Sequence, residues 1–586
     1  VTLALGVSRS LSGRRWLWRE AEERQGLAIA QRLELPEIVG RLLAGRGVGV
    51  DQAADFLEPT LRALLPDPAV LADMGKAAAR LAEAVQHSET VAVFGDYDVD
   101  GACSGALMAT VLRQLGCTVI AYVPDRLSEG YGPNLPALQE LVAQGAGLVV
   151  CVDCGTAAGA VFAGLAGADV IVLDHHKAEG PPPDVVATVN PNRLDCESGL
   201  HGLCAAGVVF LTCVALLREL RRRGFFAARP EPDLRGMLDM VALATVCDVM
   251  PLTGLNRALV TQGLKVLARR ERPGLAALLE VAMVKDRPNA MTLGFALGPR
   301  INAAGRISEC DLGMRLLLSE DLVEARGIAA TLDAVNRQRQ AVEAGMLDAA
   351  LEAAAAQLAD GHAVVLVRGA EWHPGVVGIV AGRIKEKFNR PACVAGVADG
   401  MAKGSGRSVP GLDLGSAVIA ARQAGLLATG GGHAMAAGFG LPAAGLAAFH
   451  AFLDERLAAA RALPSAADLM VEGAVAVAGC SLELAGQLAR VAPFGPGNEE
   501  PTLVLSRARV VRADRVGKEG ATVRAFLEGE GGGRVKAVMF RAKEGKVADA
   551  LLARDSAPLH VAGHLRAEEW NGTTSVSFII ADAAPA

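Results

Sequence analysis

A chain of 586 residues is too long for one hydrophobic core and is expected to divide into several domains. Hydrophobic residues make up 51% of it and aromatic ones only 4%, so the cores must be built from Ala, Val and Leu rather than from large aromatic anchors. A net charge of −6 excludes a uniformly basic, nucleic-acid-coating chain, although bases do bunch locally: Arg218 with Arg221, Arg222 and Arg223; Lys265 with Arg269, Arg270 and Arg272; Arg383 with Lys385, Lys387 and Arg390.

No membrane span is expected. The best apolar run, Gly202 to Leu217, is free of charge but falls short of the roughly 18 residues a spanning helix needs, and Gly207 and Thr212 interrupt it. A buried helix is the reading. Val1 to Leu11 lacks a cationic stretch ahead of a sustained apolar one, so no secretory signal is expected. Eleven cysteines, an odd number irregularly spaced, point to a reducing compartment, and the expected location is the cytoplasm. Cys151 and Cys154 form a CxxC pair, but no partner pair accompanies it.

In chain order, residues 1–75 read as a mixed, mostly helical segment with a proline-punctuated stretch around Pro59 to Pro68. Residues 76–317 alternate: a helix at 76–86, a strand at 91–95, a helix at 103–115, a strand at 118–123, a helix at 135–144, and strands at 148–153 and 169–174. A helical stretch from Leu238 to Val246 then ends at Asp248. That alternation is the pattern of a doubly wound parallel sheet. Residues 318–358 are rich in Ala, Leu, Glu, Arg and Gln and read as a long connecting helix despite Gly327 and Gly345. A second α/β unit spans 359–464, with two glycine-rich stretches, Lys403-Gly404-Ser405-Gly406-Arg407-Ser408, read as a loop, and Thr429-Gly430-Gly431-Gly432-His433. Residues 465–586 turn to β patterning, with strands at 503–511, 522–527, 534–540, 560–565 and 575–580, which suggests a small barrel of the OB type. Its few aromatic residues (Phe526, Phe540, Trp570, Phe578) promise weak base stacking. The expected fold class is therefore α/β: two α/β lobes joined by a long helix, plus a C-terminal β-barrel.

Three short apolar runs end in ligand-type side chains. Val91-Ala92-Val93-Phe94 leads into Asp96-Tyr97-Asp98-Val99-Asp100-Gly101; Leu148-Val149-Val150-Cys151-Val152 is closed by Asp153; Val170-Ile171-Val172-Leu173 is closed by Asp174-His175-His176. Buried parallel strands deliver such residues to one rim of the sheet, where ligands bind in open α/β folds. Carboxylates gathered there repel one another unless cations lie among them. Asp98 and Asp100, two apart in a tight glycine-ended turn, are expected to reach one centre, with Asp96 one step further back. Asp153 is placed to bridge, His175 offers one nitrogen, and Asp248 completes the set from a helix end. A carboxylate-rich set with one imidazole favours Mn²⁺ or Mg²⁺ over zinc, and two such ions suit phosphoryl chemistry. His176 is placed to touch the phosphate or the leaving oxygen, and Asp174 to orient the histidines. An Asp at a strand end serves equally often as a helix N-cap; the convergence of all four groups in order tips the balance toward metal.

In that order, Asp98-Val99-Asp100, Asp153, Asp174-His175-His176 and Asp248 resemble the four motifs of the DHH phosphoesterase superfamily. Gly404-Ser405-Gly406-Arg407-Ser408 and the stretch Gly430 to Gly438 look like its DHHA1 substrate-binding domain. Phe94 to Gly101, Gly298 to Arg306 and Pro493 to Asn498 add a likeness, over nearly the whole chain, to the bacterial single-strand-specific 5′→3′ DNA exonucleases of that superfamily. The resemblance implies metal ligands at Asp98, Asp100, Asp153, His175 and Asp248, with Asp96 the least fixed. It implies a pocket for the 5′-terminal phosphate at Arg306, Ser405 and Arg407, with Arg300, Asn302 and His433 nearby. It further implies two Mn²⁺ or Mg²⁺ ions, release of mononucleotides from single-stranded DNA in repair and recombination, and a barrel that grips the trailing strand. The implied partners are a single-strand-binding protein and a helicase, and the implied state is a monomer. Read as residues alone, Ser405 and Arg407 offer hydroxyl, N–H and guanidinium donors to one phosphate or are simply a surface loop, and Arg300 and Arg306 also read as helix-end caps. Two rival readings are a small-substrate DHH phosphodiesterase, which the extra barrel disfavours, and a non-catalytic replication scaffold of the Cdc45 type, which the intact ligand positions disfavour.

Overall fold

The computed structural model describes residues 2–126, 128–178, 180–553, 557–570 and 572–586. Contacts divide the chain into two compact units, one formed by residues 58–338 with 493–499, the other by residues 1–57, 339–492 and 500–586.

After β1 (Trp16–Trp18), which belongs to the second unit, the first unit is organised by five short strands: β2 (Thr90–Phe94), β3 (Thr118–Tyr122), β4 (Leu148–Val152), β5 (Asp169–Leu173) and β6 (Ala187–Val189). They form one sheet in the order β3-β2-β4-β5-β6, every pair parallel. Alternate side chains of β2 enter different cores. Val91 and Val93 pack with helices α1 (Met74–Gln86), α2 (Val99–Gln114), α3 (Ala205–Arg222) and α4 (Leu238–Cys247), while Ala92 and Phe94 pack with Leu138 and Leu141. Burial on both faces is what allows these strands to be continuous apolar runs. Strand order reverses at β2, so the carboxyl ends of β2 and β4 open a crevice at the switch point.

Four of these five strands fall within one or two residues of their predicted positions, and β6 has no counterpart among the expected strands. One difference matters: α2 begins at Val99 rather than at 103, because Asp98 caps it, accepting a hydrogen bond from Gly101 N at 3.0 Å. The apolar run 202–217 is the buried body of α3, and among the described residues no helix is long and apolar enough to cross a membrane. The basic bunch at the end of α3 is largely paired with acids, Arg218 with Asp67, Arg221 with Glu231, and Arg222 and Arg223 with Glu219.

The helix α5 (Gly298–Ile307) precedes the long connecting helix α6 (Leu322–Ala359), which joins the two α/β units and runs 38 residues, about 57 Å, without a break. A Cβ at either Gly327 or Gly345 would meet nothing within 4 Å, so both glycines are spectators on its surface.

The second unit holds a mixed sheet of β7 (Val365–Ala370), β8 (Ala392–Ala398), β9 (Met401–Arg407), β10 (Thr429–His433) and β11 (Ala436–Pro442), in the order β10-β11-β9-β8-β7. The first glycine-rich stretch, expected as a loop, lies in strand β9, and the second is strand β10. Glycine has no strand propensity to betray them, but packing demands it. A Cβ on Gly404 would lie 2.2 Å from the Phe439 ring, and one on Gly406 2.6 Å from Leu414.

After β12 (Leu469–Val471) and β13 (Gly473–Ala474), five strands close into a barrel: β14 (Leu503–Val516), β15 (Thr522–Glu528), β16 (Arg534–Met539), β17 (Leu559–Trp570) and β18 (Thr573–Pro585). The order β14-β15-β16-β18-β17, closed by β17 on β14, is the OB arrangement. Phe578 is core and Phe540 is exposed, whereas the side chain of Trp570 lies outside what is described. The segment around β1 packs against the barrel. β1 pairs with β12, and the fully buried Trp16 donates from Nε1 to the equally buried Asp582 carboxylate at 2.9 Å. Trp16→Phe would keep most of the apolar body but orphan that carboxylate oxygen. A loss of about 1–3 kcal/mol in a denaturant titration is expected, with unchanged stability as the contrary result.

Candidate metal centre

The loops after β2, β4 and β5 and the end of α4 bring the predicted ligands together. Three overlapping groups have ligand atoms within 4.8 Å of one another: Asp96, Asp98 and Asp153; Asp100, His175 and Asp248; Asp153, His175 and His176. Asp98 and Asp100, expected at one centre, therefore fall in different groups. The physical reason is the early start of α2: Asp98 is its cap, whereas Asp100 lies in its first turn. Asp100, buried, accepts from Ala205 N at 2.6 Å and Ala206 N at 2.8 Å, the first residues of α3. His175 links the groups, with Nε2 3.3 Å from Asp153, 3.5 Å from Asp248 and 3.7 Å from Asp100.

Backbone geometry serves the crowding. Asp153 adopts φ +61°, a left-handed conformation that costs a side-chain-bearing residue of the order of 1–3 kcal/mol and is tolerated where surroundings enforce it. Gly101 is required, because a Cβ there would lie 2.4 Å from Asp96 O.

Electrostatics confirms that water does not relieve this cluster. Burial first, and the Asp98 charge second, push the Asp96 carboxyl up to about 7. Burial with the charges of Asp100 and Asp98 pushes Asp248 up to about 8, and burial with four neighbouring carboxylates drives Asp153 well above its usual range. Asp96 Oδ1, Asp153 Oδ1 and Asp248 Oδ2 are buried without a hydrogen-bond partner. Orphaned, buried anionic oxygens around one imidazole fit hard divalent cations such as Mn²⁺ or Mg²⁺. Asp174 is the exception: burial opposes its charge, but bonds from His176 and Thr156 hold it well below the usual range. Asp174 in turn raises His176 to about 9 against the pull of burial.

Tyr131 went unnoticed in the sequence. Its hydroxyl lies 3.3 Å from the ring nitrogens of His176 and from Asp153 O, and its ring stands edge-on to the His176 imidazole. A signal existed: the chain has only three tyrosines, and Tyr97 and Tyr122 sit at or just beyond the ends of β2 and β3.

The expected phosphate-binding residues divide between the units. In the first, Arg300 Nε pairs with Asp333 of α6 at 2.9 Å, Asn302 Oδ1 accepts from Val99 N at 3.2 Å, and Arg306 lies in the last turn of α5. Arg300 thus anchors the long helix and Asn302 steadies the start of α2. In the second unit, Ala436 of β11 pairs with both Arg407 and His433, which puts these two on one face of the sheet. Ser405 shares that face and accepts from Arg407 Nη1 at 2.8 Å. Burial lowers the Arg407 pKa from its usual value, and Gly378 makes room beside it, since a Cβ there would come within 3.1 Å of both Arg407 and Ser405.

A parallel α/β sheet with an Asp-Asp-His rim, followed by a second α/β unit with glycine-lined strands, defines the DHH/DHHA1 class. The DHH family, N-terminal domain, matches residues 90–245, the DHHA1 domain 360–459 and the RecJ OB domain 471–582. The chain is 39% identical over 533 residues to the single-stranded-DNA-specific exonuclease RecJ of Salmonella typhimurium, spanning 88% of this chain and 90% of that protein. It is 33% identical to the Bacillus subtilis protein of the same name over 97% of this chain and 71% of that one. The crystal structure of RecJ in complex with Mn²⁺ from Thermus thermophilus superposes with a TM-score of 0.80 at 30% identity, covering 97% of this chain and 79% of that one. The chain belongs to the RecJ family.

Gly101→Ala should displace the Asp96 main chain and weaken Mn²⁺ binding about tenfold or more. Gly75→Ala, where a Cβ meets open space, should leave it unchanged. Free Mn²⁺ measured by electron paramagnetic resonance tests both, and equal affinities would refute the close-approach argument.

Proposed function

We propose that this chain is a divalent-metal-dependent exonuclease that degrades single-stranded DNA from its 5′ end to mononucleotides. One observation carries the reading: the buried, unbonded oxygens of Asp96, Asp153 and Asp248 around His175. It is supported by family members named single-stranded-DNA-specific exonucleases, and by one crystallised with Mn²⁺ and with Mg²⁺.

In this reading Asp96, Asp98 and Asp153 would hold one ion and Asp100, His175 and Asp248 a second. Bound ions supply Lewis acidity toward a phosphate oxygen and lower the pKa of an adjacent water. The protein does the positioning. Asp174 fixes His176, which contacts the phosphate or the leaving oxygen, and Tyr131 packs against that imidazole. Ser405, Arg407 and His433 are read as donors to the 5′-terminal phosphate, and Arg306, in the first unit, is read as a phosphate-binding residue. Arg407, half-buried and bonded to the Ser405 hydroxyl and the Gly406 carbonyl, has charge to offer an anion. Within the first unit, Arg300 acts through Asp333 and Asn302 through Val99.

The segments are assigned as 1–75 N-terminal, 76–317 catalytic, 318–358 connecting helix, 359–464 substrate-binding and 465–586 nucleic-acid-binding. A cytoplasmic monomer acting in repair and recombination, alongside a single-strand-binding protein and a helicase, fits the family, and the eleven free thiols suit a reducing compartment.

Asp248→Asn removes one charge at constant shape. Digestion of end-labelled single strands in Mn²⁺ should fall at least a hundredfold while strand binding stays within a few-fold; a wild-type rate would overturn the ligand assignment. Run on single and double strands, with and without a 5′ phosphate, in Mn²⁺, Mg²⁺ or chelator, the same assay should show cleavage only of single strands with metal present. Equal cleavage of duplex would overturn the substrate reading.

A further inference from the structure

The turn Asn190-Pro191-Asn192-Arg193 follows directly on β6 and has no part in the reading above. Asn190 is fully buried. Its Nδ2 donates to His176 O at 2.8 Å and to Thr156 Oγ1 at 2.8 Å, while its Oδ1 accepts from Asn192 N at 2.7 Å. Asn192 Nδ2 donates to His175 O at 2.5 Å. Each histidine carbonyl therefore has its own side-chain amide, and because a carbonyl only accepts, the amide orientation follows from the network. The opposite edge of the same dipeptide is held by Asp174, whose Oδ1 accepts from His175 N at 2.7 Å, His176 N at 3.1 Å and His176 Nδ1 at 2.8 Å. Asp174 Oδ2 accepts from Thr156 N, so the network also ties in the turn that follows Asp153.

The His-His dipeptide has left its strand and has no ladder partner of its own, yet all four of its main-chain polar groups are satisfied by side chains. The clamp is itself braced. Buried Arg193 reaches Asp73 at 2.6 Å and grips Asp195 through Nε and Nη2, and His201 Nδ1 donates to Pro191 O at 2.8 Å. A peptide held on both edges does not rotate, so the Cα–Cβ bonds of both histidines keep one direction, and Asp174 also holds the His176 ring through Nδ1.

We propose that Asn190 and Asn192 are positioning residues that set His175 and His176 toward the aspartate cluster, so that the ends of β4, β5 and β6 act as one preorganised frame for metal. The proposal rests on the metal-centre reading above. Outer partners of metal-ligating histidines are worth about 10–100-fold in metal affinity, and that is the effect expected here.

The test compares Asn192→Ala, Asn190→Ser and, as a control in the same loop, Leu194→Ala, whose side chain is exposed. Mn²⁺ affinity is read from free Mn²⁺ by electron paramagnetic resonance. Imidazole ¹⁵N shifts and melting are recorded on metal-free protein. Asn192→Ala is expected to weaken Mn²⁺ binding about 10–100-fold, to move the imidazole resonances of His175 and His176 alone, and to melt within a few degrees of the unsubstituted protein. Unmoved resonances with unchanged Mn²⁺ affinity would overturn the proposal, as would an equal loss in Leu194→Ala. If Asn190→Ser fails to fold, the half-buried Asn192 decides alone. An unsubstituted protein that binds no Mn²⁺ would overturn the metal centre itself, which is a different result from an Asn192→Ala variant that binds as well as its parent.

Discussion

Mutual repulsion among carboxylates held out of water is the constraint on which the first unit depends. Asp96, Asp100, Asp153 and Asp174 are nearly inaccessible to solvent, and Asp98 and Asp248 lie beside them. Left uncompensated, such charges would force neutral carboxyls or open the rim to water. Three of them are held by local hydrogen bonds. Asp98 bonds to Gly101 N, Asp100 to the N-terminus of α3, and Asp174 to the main chain of the histidines; of the six, Asp96, Asp153 and Asp248 keep unbonded oxygens. That remainder of unmet bonding is the chemical identity of the site.

The same constraint explains conformations that otherwise look wasteful. A left-handed Asp153 and a glycine pressed onto the Asp96 carbonyl both bring carboxylates closer than ordinary strand-to-helix turns do. The side-chain clamp on His175 and His176 belongs with them, because an imidazole among anions is useful only if its direction is fixed. A sheet whose strands are buried on both faces gives all of these turns a rigid base.

The second unit solves a different problem. Glycine-lined β9 and β10 leave Ser405, Arg407 and His433 standing on one open face, with Gly378 giving way beside them. A half-buried guanidinium that has no carboxylate partner among the described residues is costly to keep charged, which makes an anionic visitor the natural complement. In the same unit the segment around β1 packs against the barrel through the Trp16–Asp582 bond, so residues far apart in sequence share one core.

Strand positions, the connecting helix, the five-stranded barrel and the acidic rim were legible in the sequence, because each is written in local periodicity or in residues that end an apolar run. Asp96 to Asp100, Asp153, Asp174 to His176 and Asp248 could be named as one group for that reason. What only the tertiary structure decided depends on distance across the chain. It separated Asp98 from Asp100 by starting α2 early, turned Arg300 and Asn302 into supports, made strands of two glycine tracts, the first pressed against Phe439 and Leu414 and the second against Leu427 and Ala437, and set Tyr131, Asn190 and Asn192 against the histidines. Single asparagines and tyrosines carry no periodic signal, and their roles exist only once β4, β5 and β6 lie side by side.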